Sequence, residues 1–255
     1  MSLTNILKTI LNIRKRIDVK KLPSMGLFYN NDFEIWIKKA DISDIIEYEY
    51  QFRRDDLGSI LYKLKKVVEK NTDFSSGYTF KDIRSIDVIF LFVEIVKFTN
   101  SKPFLIYYNS PISGKKESID FSSETFNYFD ISSVKDNYNP LSKDIQVDGF
   151  KYKLPTIGIE NSITNFLLSK SNDPKNHIYQ EYSYDFMYFL GDRHELNQSE
   201  IENLIHIFNT DMSADESQKI RNIVESYSFL GKYSLKKDGV IVELSSNIDL
   251  EKVWK

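Results

Sequence analysis

The chain has 255 residues, enough for one large domain or two small ones, with a core that needs neither metal nor disulfide. With 41% hydrophobic and 28% charged residues it has the composition of a globular protein, and 34 Lys+Arg against 37 Asp+Glu give a net charge of −3, which excludes a general electrostatic attraction to nucleic acid. It has no cysteine, which excludes disulfides, Cys-ligated zinc, iron–sulfur clusters and Cys nucleophiles.

The chain is rich in Ile, Lys, Asn, Phe and Tyr and poor in Ala, Arg, Gly and Pro. That bias follows AT-rich codons and describes the source genome, not the function. The longest apolar run, Val88 to Val93, is far short of the roughly 20 residues that span a bilayer. No secretion signal is visible. Integral membrane contact is not expected.

Apolar residues Leu3, Ile6, Leu7, Ile10, Ile13 and Ile17 recur at helical spacing. The opposite face carries Lys8, Arg14, Lys15 and Arg16. Residues 1–20 are therefore expected to form an amphipathic arm, helical over 3–17. Such a helix could dock on its own body, on a partner, or on a membrane surface. The arm ends at Leu22-Pro23-Ser24-Met25-Gly26-Leu27-Phe28-Tyr29. Pro23 forces Leu22 out of helical space, and Gly26 offers a left-handed turn position. Phe28 reads as core. Tyr29 reads as the better contact residue, since its hydroxyl tolerates a wet rim.

A strand follows over 33–38, with Phe33, Ile35 and Ile37 alternating against Glu34, Trp36 and Lys38. Helices are expected over 42–53 after Asp41, over 57–70, and over 83–98 with Asp82 as N-cap. Hairpins are expected over 104–121 and over 145–154. The second has the Asp148-Gly149 pair that suits a two-residue turn. Residues 130–144, rich in Asp, Ser and Asn, read as a linker. Beyond it, helices are expected over 160–170, 178–190, 200–209 and 214–230. The last two start at capping boxes, Ser199 to Glu202 and Ser213 to Glu216. A hairpin over 233–244 and a short helical turn ending at Leu250, Val253 and Trp254 close the chain.

The fold class expected is α+β, with helical N- and C-terminal parts, several hairpins and no parallel nucleotide-binding sheet. The domains expected are the 1–20 arm, an α+β unit over 21–130 and a mainly helical unit with hairpins over 145–255. Lys21-Leu22-Pro23-Ser24-Met25-Gly26-Leu27 and Lys153-Leu154-Pro155-Thr156-Ile157-Gly158-Ile159 share the form K-L-P-[S/T]-apolar-G-apolar. We read the echo as a repeated local turn.

No catalytic constellation emerges. Of the three histidines only His194 has metal-capable neighbours, Asp192 and Glu195, and no second ligand pair has zinc spacing. His206 lies in an apolar helical stretch and reads as partly buried. The glycines are scattered, with no phosphate-cradling loop. Asp55-Asp56 and Asp215-Glu216 sit at expected helix starts, where acids favour the dipole. Glu94 and Lys97 read as a surface pair one helical step apart. The aromatics between Tyr182 and Phe189 are interleaved with Asp185 rather than with cations, which favours core or protein contact over base stacking. No enzyme activity, cofactor or metal is expected.

The stretch Leu22-Pro23-Ser24-Met25-Gly26-Leu27-Phe28-Tyr29 resembles the L-P-S-x-G-x-F-Y-like element of baseplate hub and hub-assembly proteins of T-even-type contractile-tailed phages. The strand over 33–38, the acidic start at Asp41 to Asp44 and the run Asp82 to Phe92 continue the resemblance, clearest over residues 20–130. It implies a non-enzymatic tail-assembly protein, either a hub component or a chaperone, whose partners are other tail proteins such as the hub and the tape-measure protein. It places the protein in the cytoplasm of an infected bacterium, or in the virion baseplate, and implies no catalytic residues. The candidate contact residues are Leu3, Ile6, Leu7 and Ile10 of the arm, Leu22, Pro23, Ser24, Gly26, Phe28 and Tyr29 of the turn, and Leu250, Val253 and Trp254. Two other readings fit the same residues: a bacterial cytoplasmic adaptor, and a hydrolase with a dispersed acidic site.

Overall fold

The structure, a computed structural model, describes residues 13–41, 57–100, 105–120, 126–127, 132–191, 193, 195–228, 230, 233–237 and 240–244. The arm positions Leu3, Ile6, Leu7 and Ile10, the helix expected over 42–53, Asp55-Asp56, His194 and the terminal Leu250, Val253 and Trp254 lie outside them.

The described residues form an α+β fold of helices and small antiparallel sheets, with no parallel sheet among them. The first sheet has the order β1-β2-β3: β1 (Arg14–Ile17), β2 (Ile35–Lys38) and β3 (Thr72–Phe74). Here the helical reading needs correction over its last residues, because Arg14 to Ile17 are extended and pair with Lys38 to Ile35. Ile17 sits opposite Ile35, and both are buried. At Ile17 cross-strand pairing therefore outweighs the helical spacing of the sequence.

Against this sheet lie α1 (Leu57–Lys70) and α2 (Val88–Asn100). The first spans the expected residues. The second buries every residue from Val88 to Val96, as a helix apolar on all sides must. It starts five residues later than expected. Asp82 does not cap it. Its carboxylate instead accepts from the Thr79 N–H at 2.7 Å, closing a capping box around a 3-10 turn at Phe80–Asp82. Residues 83–87 are held out of the helix by contacts described below. Glu94 is also corrected. It is 7% exposed, and Lys15 reaches it from β1 at 2.7 Å, with Lys97 at 3.7 Å.

The hairpin of β4 (Leu105–Asn109) and β5 (Lys116–Asp120) falls where expected. So does the one of β8 (Asp144–Val147) and β9 (Phe150–Tyr152), joined by Asp148 and Gly149 with φ of 50° and 85°. Two consecutive left-handed residues are what a primed two-residue turn demands. The stretch expected as a linker is built into the fold. It contains the short α3 (Ser132–Lys135), with Val134 buried, and β7 (Tyr138–Asn139), which extends the β8–β9 pair to three strands. The third three-stranded sheet has the order β11-β10-β6. It joins β6 (Phe126–Asn127) to the C-terminal hairpin of β10 (Tyr233–Lys237) and β11 (Val240–Leu244).

Four helices complete the fold: α4 (Ile157–Ser169), α5 (Asn176–Phe186), α6 (Gln198–His206) and α7 (Ala214–Ser226). Ser213 and Glu216 cap α7 as expected. On α6 the capping pair is Asn197 and Glu200, two residues earlier than the Ser199 box. Asn is as good an N-cap as Ser, and the earlier pair brings both Ile201 and Ile205 inward. His206 is exposed rather than partly buried. Phe186 is core, while Tyr188 and Phe189 lie against Tyr152.

Three apolar clusters result. One lies between the β1–β3 sheet and helices α1 and α2, and takes in Ile157 from the start of α4. A second gathers Phe28 with Val134, Ile145, Tyr152, Ile223 and Tyr227. The third is formed by α4, α5 and α6. No helix among the described residues is long and apolar enough to cross a membrane.

Candidate functional site

The two K-L-P segments meet at one place. Between them runs Ile83-Arg84-Ser85-Ile86-Asp87, and both segments bond to that strap. From the second segment, Pro155 O accepts from the Ser85 N–H at 3.1 Å, and the Ile157 N–H donates to Ile83 O at 2.8 Å. From the first, the Ser24 N–H donates to Asp87 Oδ1 at 2.8 Å and the Tyr29 hydroxyl donates to Oδ2 at 2.7 Å. The same hydroxyl accepts from the Arg84 N–H at 2.8 Å.

Arg84 ties the two together. One terminal nitrogen donates to Leu154 O at 2.8 Å and the other to Phe28 O at 2.6 Å. A planar fork with two parallel donors suits this task, where a lysine would reach one carbonyl. The guanidinium carbon lies 5.8 Å from the Phe28 ring centre and 5.7 Å from that of Tyr29. The side chains at its centre are buried, with Asp87 0% exposed, Ser24 1%, Arg84 4% and Tyr29 5%, while Ser85 and Pro155 are half-buried. In a medium of low dielectric each hydrogen bond made here counts for more than it would in water.

The shared K-L-P form is thus not a repeated turn. The first segment makes a run of tight turns with Met25 and Gly26 at φ of 55° and 71°. The second leaves β9 and starts α4, with Thr156 as its N-cap and Gly158 inside the helix. What they share is the strap they grip.

Leu22, Pro23, Ser24, Phe28 and Tyr29 are buried and Gly26 is half-buried, so the turn faces inward. Phe28 is core, as expected. Tyr29, expected at a wet rim, is instead buried, and its hydroxyl serves Asp87 and Arg84 inside the protein. Sequence reasoning missed Arg84 and Asp87 altogether. The signal available was the echo itself: two like segments in one chain suggest one common target.

Gly26 has a defined reason to be glycine. A Cβ there would stand 3.2 Å from the Val19 carbonyl oxygen and 3.3 Å from its carbon, on a left-handed backbone. Gly26→Ala is expected to lower stability by more than about 1 kcal/mol in a denaturant melt.

Burial raises the Asp87 carboxyl from the ordinary carboxylate range to about 6, against the opposing pull of Tyr29, Ser24 and Arg84. Tyr29 is pushed well above the usual phenol range, by burial first and by the Asp87 charge second. A raised acid binds its proton more tightly folded than unfolded. Its contribution is complete below the unfolded value near 3.8 and is lost as pH rises through about 6. On going from pH 8 to pH 5 the parent should gain about 1 kcal/mol relative to Asp87→Asn. Paired urea melts at the two pH values measure this difference directly.

Beside the joint is a partly open pocket of about 50 Å³. Aromatic Phe28, Tyr29, Phe33 and Tyr78 line it together with Asn30, Asp82, Arg84 and Thr156. Tyr29 and Phe33 stack at 4.2 Å, and Tyr78 meets Phe33 edge-on at 4.9 Å. The Tyr78 hydroxyl donates to Asp32 at 2.8 Å and accepts from the Asn30 amide at 3.1 Å.

Among the described residues no group of three or more His, Asp or Glu side chains is placed to hold a metal ion. Chemically, the joint offers one titrating proton, at Asp87, held among groups already engaged with the backbone. Comparison with protein-family models, with curated proteins and with solved structures finds no match to this chain.

Proposed function

We infer that the chain is a non-enzymatic tail-assembly protein of a T-even-type contractile-tailed phage, a component of the baseplate hub or a chaperone for its assembly, acting through protein–protein contacts. One observation carries the reading. The two stretches that resemble the hub-assembly proteins, Leu22 to Tyr29 and Asp82 to Phe92, are far apart in sequence, yet they interlock through Ser24, Tyr29, Arg84 and Asp87. A likeness in both is then a likeness in one structural unit. On this reading the turn is the frame, and the contacts fall to other surfaces, with the arm residues Leu3, Ile6, Leu7 and Ile10 and the terminal Leu250, Val253 and Trp254 as candidates. The partners are hub or tape-measure proteins, in the cytoplasm of the infected cell or in the finished baseplate.

The test is co-expression with the hub and tape-measure proteins encoded beside it. The full chain is expected to co-purify with one of them. A chain lacking residues 1–12 should keep its thermal midpoint, since β1 begins at Arg14, and lose the partner. Failure of the full chain to bind any tail protein would overturn the reading.

A further inference from the structure

The hydrogen bonds of the joint have fixed directions. The Arg84 N–H can only donate, so the Tyr29 oxygen accepts from it, at 2.8 Å. The hydroxyl's own proton then goes to Asp87 Oδ2, at 2.7 Å. The other carboxyl oxygen, Oδ1, accepts from the Ser24 N–H at 2.8 Å. The two oxygens of Asp87 therefore have unlike partners. An amide N–H has no lone pair to offer, whereas a hydroxyl both donates and accepts.

This difference decides what happens when Asp87 takes up a proton. On Oδ1 the new proton would confront that of the Ser24 N–H. On Oδ2 it meets an oxygen able to accept it, once the phenol turns its own proton aside. We propose that Asp87 and Tyr29 form a proton switch, in which uptake of one proton from solvent at Oδ2 reverses their hydrogen bond, and that the Arg84 N–H, which shares the Tyr29 oxygen, registers the change. The inference does not depend on the tail-assembly reading.

The surroundings suit such a device. Asp87 is fully buried and Tyr29 nearly so, so ionisation holds a charge out of water. The titratable and charged groups that act on Asp87 are Tyr29, from the first K-L-P segment, and Arg84, from the strap, with the neutral Ser24 beside them. Asp87 and Arg84 act in turn on Tyr29. The second segment has no titratable side chain from Leu154 to Ile159. Helix α2, which continues from Asp87, has none before Glu94, and Glu94 is bonded to Lys15. Burial lifts the Asp87 carboxyl to about 6 against the pull of its partners, a value that modest acidification crosses. Arg84 keeps its bonds to Leu154 O and Phe28 O in either state, so the switch changes bonding within a closed joint.

Nuclear magnetic resonance on the full chain tests it. The Asp87 carboxyl carbon and the Ser24 and Arg84 amides are followed from about pH 4 to about pH 8. The expected result is one midpoint, near 6, shared by the carboxyl and the Arg84 amide. Tyr29→Phe deprives the charged carboxylate of a donor, so its midpoint should rise by roughly half a pH unit or more. The Arg84 amide should then lose most of its response. Ser24→Ala, which keeps the Ser24 N–H and the Tyr29 hydroxyl, should leave that response in place. A carboxyl still ionised at about pH 4, an Arg84 amide that ignores the carboxyl's midpoint, or an Arg84 response that is kept in Tyr29→Phe or lost in Ser24→Ala would each overturn the proposal.

Discussion

Arg84→Ala is expected to lower stability by about 3–5 kcal/mol, because it leaves two buried carbonyls without donors and removes a positive charge that acts on buried Asp87. A domain holds about 5–15 kcal/mol in total, so the variant should be partly unfolded near body temperature. The effect comes from position. Arg84 donates to Leu154 O and Phe28 O, and its own N–H donates to the Tyr29 hydroxyl. Removing it therefore loosens both K-L-P segments at once. Arg84→Lys should recover little, since a single ammonium cannot bridge the two carbonyls. A urea melt that moves by less than about 1 kcal/mol for Arg84→Ala would show that the joint holds nothing together.

Phe28→Ala should cost about 3–5 kcal/mol as well, for a different reason. Its ring is 2% exposed and belongs to the cluster of Val134, Ile145, Tyr152, Leu154 and Tyr227. Deletion leaves a cavity there that the surrounding strands and α7 cannot collapse into freely. Tyr29→Phe is the milder neighbour. It keeps the ring stacked on Phe33 and removes only the hydroxyl shared by Asp87 and Arg84, worth about 1–3 kcal/mol. Since Phe28 lies against the Arg84 guanidinium, Phe28→Ala combined with Arg84→Ala should lose less than the sum of the two. Full additivity in that double-mutant cycle would mean that the two side chains act independently.

The elements most legible in the sequence are those set by local chemistry. The apolar stripe of α1 marks residues 57–70 from end to end. Asp148-Gly149 announces its turn, and Ser213 with Glu216 announces the start of α7. Features decided by distant partners were not legible. Arg14 to Ile17 continue a helical spacing, and only the strand of Ile35 and Ile37 makes them extended. Asp82 looks like the cap of a long helix. That helix is shortened because Pro155 and Ile157 bond the backbone at Ser85 and Ile83, residues some 70 positions away. Arg84 stands between acids in Asp-Ile-Arg-Ser-Ile-Asp, and nothing in that stretch marks it as buried. Its burial follows from two carbonyls that no local pattern names. Residues 130–144 carry a loop composition, yet Val134 fills a core position and Tyr138 donates its hydroxyl to the Leu27 carbonyl. Polar composition marks exposure on average and does not exclude one or two anchoring side chains.

The pairing of Phe126 with Leu235 and of Asn127 with Ser234 bears on how the chain is made. At about 5–20 residues per second, the interval between the synthesis of β6 and of its partner β10 is roughly 5–20 s. Through that time β6 has no strand to pair with, and the three-stranded sheet it shares with β10 and β11 can close only near the end of translation. The joint around Arg84 can close sooner, once Leu154 to Ile157 have emerged. Assembly on the ribosome should therefore be ordered, with the N-terminal sheet and its strap complete first and the β6 edge waiting. A stalled chain ending between residues 160 and 230 would present that edge to whatever chaperone or neighbouring strand is at hand.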